Sequence, residues 1–236
     1  MTSVKIFIKQ GKGPDLVFLH GWKQDKNYWM PLVSHLDQNF TCWLVDLPGF
    51  GNNSNIALKN ISPAGYAEWL GDFCKKQSIS NFYLLGHSFG GRIAIAYAVR
   101  FNKAKKLILY AIPTFKRKNI KVSIGKFFSD KIGIKNVPYL SQLLRSKDYK
   151  ETGEKLKSIF LKSVNYDYSK DLKRINIPSL IIWGERDKEE LSTTAYTLKK
   201  LIPESKLEIL PKCSHFAHLE NPRLFAGKIT NFLKNG

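Results

Sequence analysis

Short apolar runs separated by turn residues recur along the chain. Residues 16–20 (Leu-Val-Phe-Leu-His) and 41–45 (Thr-Cys-Trp-Leu-Val) are apolar on both faces, as strands inside a covered sheet are. The runs at 81–86, 106–111, 179–183 and 206–210 read the same way, whereas 4–9 alternate apolar and charged residues like a half-exposed edge strand. Between these runs, apolar residues take helical spacing. They do so at 27–36 (Trp29, Leu32, Val33, Leu36), at 62–76 (Tyr66, Trp69, Leu70, Phe73), and at 89–101, 192–201 and 222–233. Ser62-Pro63 gives the second of these an N-cap followed by a proline at the first helical position.

Strand–helix alternation with short loops predicts an α/β architecture: a mostly parallel, twisted sheet of about seven strands flanked by helices. The alternation lapses at about 112–174. That stretch carries two amphipathic stripes, Val137/Leu140/Leu143/Leu144 and Leu156/Ile159/Phe160/Val164. Ligands of such sheets bind at the carboxyl ends of the strands, so a helical insertion there acts as a lid. The expected organisation is one domain, 1–236, with a lid at about 112–174.

Composition changes this picture at two points. The net charge is +19, and residues 116–174 hold 16 basic against 6 acidic residues, so the excess is concentrated in the expected lid. Two readings stay open: lysine-rich codon usage, or a field that steers an acidic partner. No nucleic-acid-binding motif accompanies the charge, and no nucleic-acid partner is expected. Cys42, Cys74 and Cys213 are isolated and fit buried thiols in a reducing compartment better than a disulfide framework or metal site. The His215/His218 pair lacks a third ligand at an established spacing, so neither a metal nor a cofactor is expected. There is no apolar run of about 18 residues, and no charged leader precedes an apolar segment. A cytoplasmic protein without a membrane span is the expectation.

The candidate chemistry centres on residues 83–95. An apolar strand enters Gly86-His87-Ser88-Phe89-Gly90 and passes directly into a helix. A turn this sharp strains the central serine and needs glycine on both sides. A serine hydroxyl attacks a carbonyl only when a base takes its proton and a third group orients that base. After the strand at 179–183 come Glu185 and Asp187, and after the strand at 206–210 comes His215. Asp187 is favoured over Glu185, whose position nearer the strand end suits a structural role. The turn after 106–111 holds no carboxylate. The remaining histidines divide by position: His35 on a helix surface, His20 bonding the loop after its strand, His218 beneath the site, His87 on a pocket wall. The oxyanion of the reaction needs two backbone N–H donors, for which the amides of Phe89 and Trp22 are the candidates.

Five motifs in order resemble the α/β-hydrolase-fold serine hydrolases: Leu19-His20-Gly21-Trp22, Asp46-Leu47-Pro48-Gly49-Phe50-Gly51, Gly86-His87-Ser88-Phe89-Gly90-Gly91, Trp183-Gly184-Glu185-Arg186-Asp187, and the stretch from Ser214 to Pro222. The resemblance covers the chain outside the lid. It implies the α/β-hydrolase fold and a Ser88–His215–Asp187 triad that cleaves a small to medium carboxylic ester through an acyl-enzyme. His87, Phe216, Phe127, Phe128 and Tyr139 would line the acyl pocket. The His-Gly-Trp start and Asp-Leu-Pro-Gly-Phe-Gly loop are similar to those of esterases that cleave pimeloyl-carrier-protein methyl ester, which makes an acidic carrier protein a candidate partner. Arg92 is similar to the arginine of the menaquinone-pathway lyases. A C–C hydrolase or lyase, or a receptor that keeps the triad, is the alternative.

Overall fold

The computed structural model describes residues 5–55, 62–113, 156, 159, 162, 163 and 166–235. Among the described residues seven strands form one sheet: β1 (Phe7–Gln10), β2 (Asp15–Leu19), β3 (Thr41–Val45), β4 (Tyr83–His87), β5 (Lys106–Tyr110), β6 (Ser179–Gly184) and β7 (Ser205–Leu210). Their order is β1-β3-β2-β4-β5-β6-β7. Only β1 runs antiparallel, pairing Phe7 with Val45 and Gln10 with Cys42. The mostly parallel seven-strand expectation therefore holds.

Among the described residues the α-helices are α1 (Met30–Val33), α2 (Pro63–Lys76), α3 (Phe89–Phe101), α4 (Ser169–Leu172), α5 (Ser192–Leu201), α6 (Ala217–Glu220) and α7 (Pro222–Asn235). They cover the sheet in two layers. On one face α2 and α3 bury Tyr66, Leu70, Phe73, Ile93 and Tyr97 against Val17, Leu84 and Leu107. On the other, α1 and α7 bury Leu32, Val33, Phe225 and Ile229 against Phe18, Leu85 and Ile108. Central strands apolar on both faces follow from this double coverage.

The predicted helix at 27–36 is broken. It becomes a 3₁₀ turn at Lys26–Trp29, capped by the Asp25 side chain, followed by the four-residue α1. Pro31 has no N–H to continue an i→i−4 ladder from the preceding turn, so two short pieces replace one helix. Ser62 caps α2 as expected, its hydroxyl accepting from Gly65 N–H at 3.3 Å.

Most of the predicted lid, including the stripe at 137–144, Phe160 and Val164, lies outside the described residues. The described part that follows packs onto the sheet domain. Ile159 is buried in the core face of α2 and α3, and Leu156 and Ile159 lie against Gly49 of the loop after β3. The three cysteines are buried free thiols. No helix among the described residues is long and apolar enough to cross a membrane.

Candidate active site

The carboxyl ends of β4, β6 and β7 bring Ser88, Asp187 and His215 to one end of the sheet. Ser88 follows β4 directly, with φ 49° and ψ −109°, a conformation that L-residues rarely adopt. Its neighbours explain how the chain tolerates the turn. A Cβ on Gly86 would lie 2.6 Å from the Gly90 carbonyl oxygen, and one on Gly90 would meet the carbonyl oxygens of Leu19 and His20, the latter at 2.6 Å. The serine is anchored at both ends of its peptide. Its N–H donates to Tyr110 O at 2.9 Å, and its carbonyl accepts from Gly91 N–H at 3.1 Å.

Asp187 and His215 form a buried pair, with His215 Nδ1 2.8 Å from Asp187 Oδ2. The other carboxylate oxygen, Oδ1, accepts from the backbone N–H groups of Glu189 and Glu190, both at 2.9 Å. The aspartate is thus held on both sides, and Nδ1 carries the proton. Burial works to lower the pKa of His215, but the hydrogen bond and charge of Asp187, then the charges of Glu189 and Glu190, outweigh it and raise the pKa above 6.5.

The loops that carry Asp187 and His215 are joined to each other. Glu185 N–H donates to Leu210 O at 3.0 Å and Arg186 N–H to Cys213 O at 2.8 Å. Glu185 serves this joint, its Oε2 accepting from Lys212 N–H at 2.8 Å, which is the structural role its position suggested. Ser214 N–H and Oγ both bond the Glu220 carboxylate, shaping the turn that bears His215.

Trp22 and Phe89 come together across the site, their rings 5.2 Å apart and nearly perpendicular. Phe89 opens α3, where the first amides of a helix have no intrahelical partner and the dipole favours negative charge. The loop bearing Trp22 is braced from below. His20 Nδ1–H donates to Gly21 O at 2.8 Å, while Nε2 accepts from Leu47 N–H at 3.1 Å. Those two bonds require the neutral ring, and burial lowers its pKa to about 4. Beside it, Lys26 Nζ pairs with the fully buried Asp46 at 2.7 Å. The same carboxylate also accepts from the N–H groups of Lys26 and Asn52. The loops after β2 and β3 are locked together.

Of the residues expected to wall a pocket, Phe216 is half-buried, its ring 5.3 Å from that of His215. His87 lies 4.8 Å from the His215 ring, buried and stacked on Tyr110 (4.4 Å, 29°) and on Tyr28 (5.7 Å, 22°). Phe127, Phe128 and Tyr139 lie outside the described residues. His218 is fully buried beneath the site, 4.3 Å from Tyr28. His35 is exposed.

Three contributors had no distinct signal in the sequence, and the place of a fourth, Arg92, differs from the one its resemblance implied. Phe50 and Tyr66 complete the aromatic cluster around Trp22 and Phe89, yet read as loop and helix-core residues. Arg92 is buried, its Nε–H donating to Pro113 O at 2.6 Å and its Nη1–H to Ser163 Oγ at 3.0 Å. These bonds tie the first turn of α3 to Pro113 and Ser163. Tyr110 reads as the last residue of a core strand, and its hydroxyl reaches the carbonyl of His215. The one signal that could have found Arg92 is its place next to Gly91 in a helix otherwise wholly apolar over its first turns.

A model of the alpha/beta hydrolase fold matches residues 14–131 and 133–222. Over 258 residues the chain is 27% identical to a monoacylglycerol lipase, ABHD6, of Mus musculus, covering 95% of this chain and 77% of that one. Over 264 residues it is 26% identical to a pimeloyl-[acyl-carrier protein] methyl ester esterase of Nitrosospira multiformis, covering 99% and 100%. The crystal structure of MGS-MChE2, an alpha/beta hydrolase enzyme from a lagoon-sediment metagenome, superposes with a TM-score of 0.74 at 23% identity, covering 97% and 94%. At that identity the superposition speaks for the fold, and the family match spans most of the sequence. This chain belongs to the alpha/beta hydrolase family.

Proposed function

We propose that the chain cleaves a carboxylic ester of small to medium acyl length, with Ser88 as nucleophile, His215 as base and Asp187 as its orienting acid. That it is a hydrolase of ester bonds rests on its lipase and esterase relatives. The observations that support the assignment of residues are the buried 2.8 Å Asp187–His215 contact and the strained turn that carries Ser88 at the same end of the sheet. Ser88 Oγ bonds to the ester carbonyl carbon as His215 Nε2 takes the hydroxyl proton. The amides of Trp22 and Phe89 receive the negative charge that forms on the carbonyl oxygen. When the C–O bond to the alcohol breaks, the imidazolium gives that proton to the departing oxygen. Water then repeats the sequence against the acyl-enzyme, releasing the acid and restoring Ser88. Asp187 keeps the proton on Nδ1, so that Nε2 is the basic nitrogen.

The stretch at about 112–174 acts in this reading as a lid over the acyl chain, with Phe127, Phe128 and Tyr139 among its apolar residues. Its charge suits an acyl group presented on an acidic carrier, and such activity falls steeply with added salt. The experiment is a panel of p-nitrophenyl esters of increasing acyl length on wild type and Ser88→Ala. Turnover with a chain-length optimum, abolished in the variant, is expected. Equal background from both proteins would retire the reading.

A further inference from the structure

The catalytic base meets two carboxylates. Asp187 occupies Nδ1, and Glu189, two residues further on, brings Oε2 to 3.5 Å from Nε2. The Glu189 N–H is fixed on Asp187 Oδ1 at 2.9 Å, so the acid that orients the base also sets the starting point of this second carboxylate. Its side chain is 28% exposed, against none for Asp187, so it borders the solvent side of the site. Partial burial raises its pKa, with the charge of His215 opposing and that of Asp187 adding.

The tautomer of His215 is already set at Nδ1, so Glu189 is not needed as an orienting acid. Its position matters for what binds at Nε2. That nitrogen must return the proton to the departing oxygen, so the departing atom lies within about 6.5 Å of the Glu189 carboxylate. A carboxylate on the departing alcohol would face it with like charge. A hydroxyl could donate to it, and an ammonium would pair with it. The other groups facing His215 are Asp187 and Glu190 on the same loop, His87 from β4, the Tyr110 hydroxyl from β5, and His218 on its own turn. Among the described residues, Glu189 is the acid in contact with Nε2.

We infer that Glu189 is a specificity-determining residue that reads the charge of the leaving alcohol, rejecting anionic leaving groups in favour of neutral, hydroxyl-bearing or cationic ones. The inference rests on the ester-hydrolase reading. Its test compares kcat/KM for three butyrate esters that share an acyl group: glycerol monobutyrate (neutral), butyrylcholine (cationic) and the butyrate ester of glycolate (anionic). Wild type should rank the anionic ester last. Glu189→Gln should raise the anionic-to-neutral ratio about tenfold and lower the cationic-to-neutral ratio. Glu189→Lys should invert the order of the two charged esters. The acid limb of the pH profile on the neutral ester should also move down in Glu189→Gln, because one of the charges holding the proton on His215 is gone. Turnover with unchanged charge ratios in both variants overturns the inference alone. Absence of turnover on all three by wild type overturns the ester-hydrolase reading, and the inference with it.

Discussion

The hydroxyl of Tyr110, the last residue of β5, donates to the carbonyl oxygen of His215 at 2.6 Å. Its single proton is used there, so at the 3.2 Å contact with His218 it is the imidazole Nδ1–H that donates and the phenol oxygen that accepts. A strand whose following turn offers no acid thus supplies a support for the loop that carries His215. Tyr110→Phe keeps the stacking on His87 and removes both bonds. We expect kcat/KM to fall about tenfold and stability to fall by about 1–2 kcal/mol, the cost of leaving buried polar groups unpaired. Ester kinetics and urea unfolding check the two effects, and wild-type values in both would show the support to be idle.

Asp187 and Glu185 lie two residues apart, and their bonds differ. Asp187→Asn should lower kcat by about 10⁴, the size expected when the base is held in the wrong tautomer. Glu185→Gln should leave turnover within about threefold, since its carboxylate serves the Lys212 amide. Ser88→Ala should remove activity together with labelling by a fluorophosphonate. Comparable losses from the two acid variants would point to Glu185 as a second orienting acid.

Glycine at position 90 is enforced by the backbone of another strand. Its missing Cβ would press on the Leu19 and His20 carbonyls, which cannot move without shifting the loop of Trp22. Gly90→Ala should destabilise by about 2–4 kcal/mol or prevent folding. Gly227, on α7, has no atom within 4 Å of the same construction. Gly227→Ala should stabilise by about 0.5–1 kcal/mol through helix propensity. Thermal melts of the pair give opposite signs if this is right.

Three imidazoles are buried in conditions that refuse a proton. Burial lowers the pKa of His20 to about 4 and of His218 to about 3, and brings His87 well below 6.5 with help from the nearby His215 and His218. Unfolding frees each to titrate near 6.5. Their stabilising contribution is therefore full above that pH. It declines as the solution is acidified towards about 4 for His20 and about 3 for His218, at about 1.4 kcal/mol per pH unit per site. The raised pKa of His215 acts in a separate window: it favours the folded state below pH 6.5 and loses that effect as pH rises through the folded value. Urea unfolding at pH 6.5, 6 and 5 should give a slope approaching three protons. A slope of one proton or less would contradict the burial of these rings.

The same pH dependence should appear in catalysis with opposite practical consequence. Since the base must be neutral and its pKa is raised, kcat/KM should rise with pH through an ionisation above 6.5. An acid limb below 6.5 would contradict the hold of Asp187 and Glu189 on the proton.

Much of this was legible wherever a residue's neighbours in sequence decide its place. The apolar run Thr41–Val45 and the helices Phe89–Phe101 and Ser192–Leu201 have the predicted bounds, since doubly covered strands and glycine-flanked or polar-bounded helices punctuate themselves. The roles of Glu189, Arg92 and Tyr110 were not legible, because each depends on a distant segment. Glu189 sits in Lys188-Glu189-Glu190, which reads as a solvated charge run until the loop after β6 brings it within 3.5 Å of His215 Nε2. Arg92 meets Pro113, Ser163 and the Tyr168 ring, all at least 21 positions further along the chain. Tyr110 finds its acceptor 105 positions away.

The buried thiols give this molecule a clock. Burial pushes Cys42 and Cys74 to about 12 and raises Cys213 as well, so at neutral pH the folded chain offers an alkylating reagent almost no thiolate. Each sulfur can react only when its surroundings part. Cys42 belongs to β3, Cys74 to α2 and Cys213 to the turn before the base. Mass spectrometry of timed alkylation would therefore record, from three native reporters, how often the sheet, the helix layer and the His215 turn each come apart.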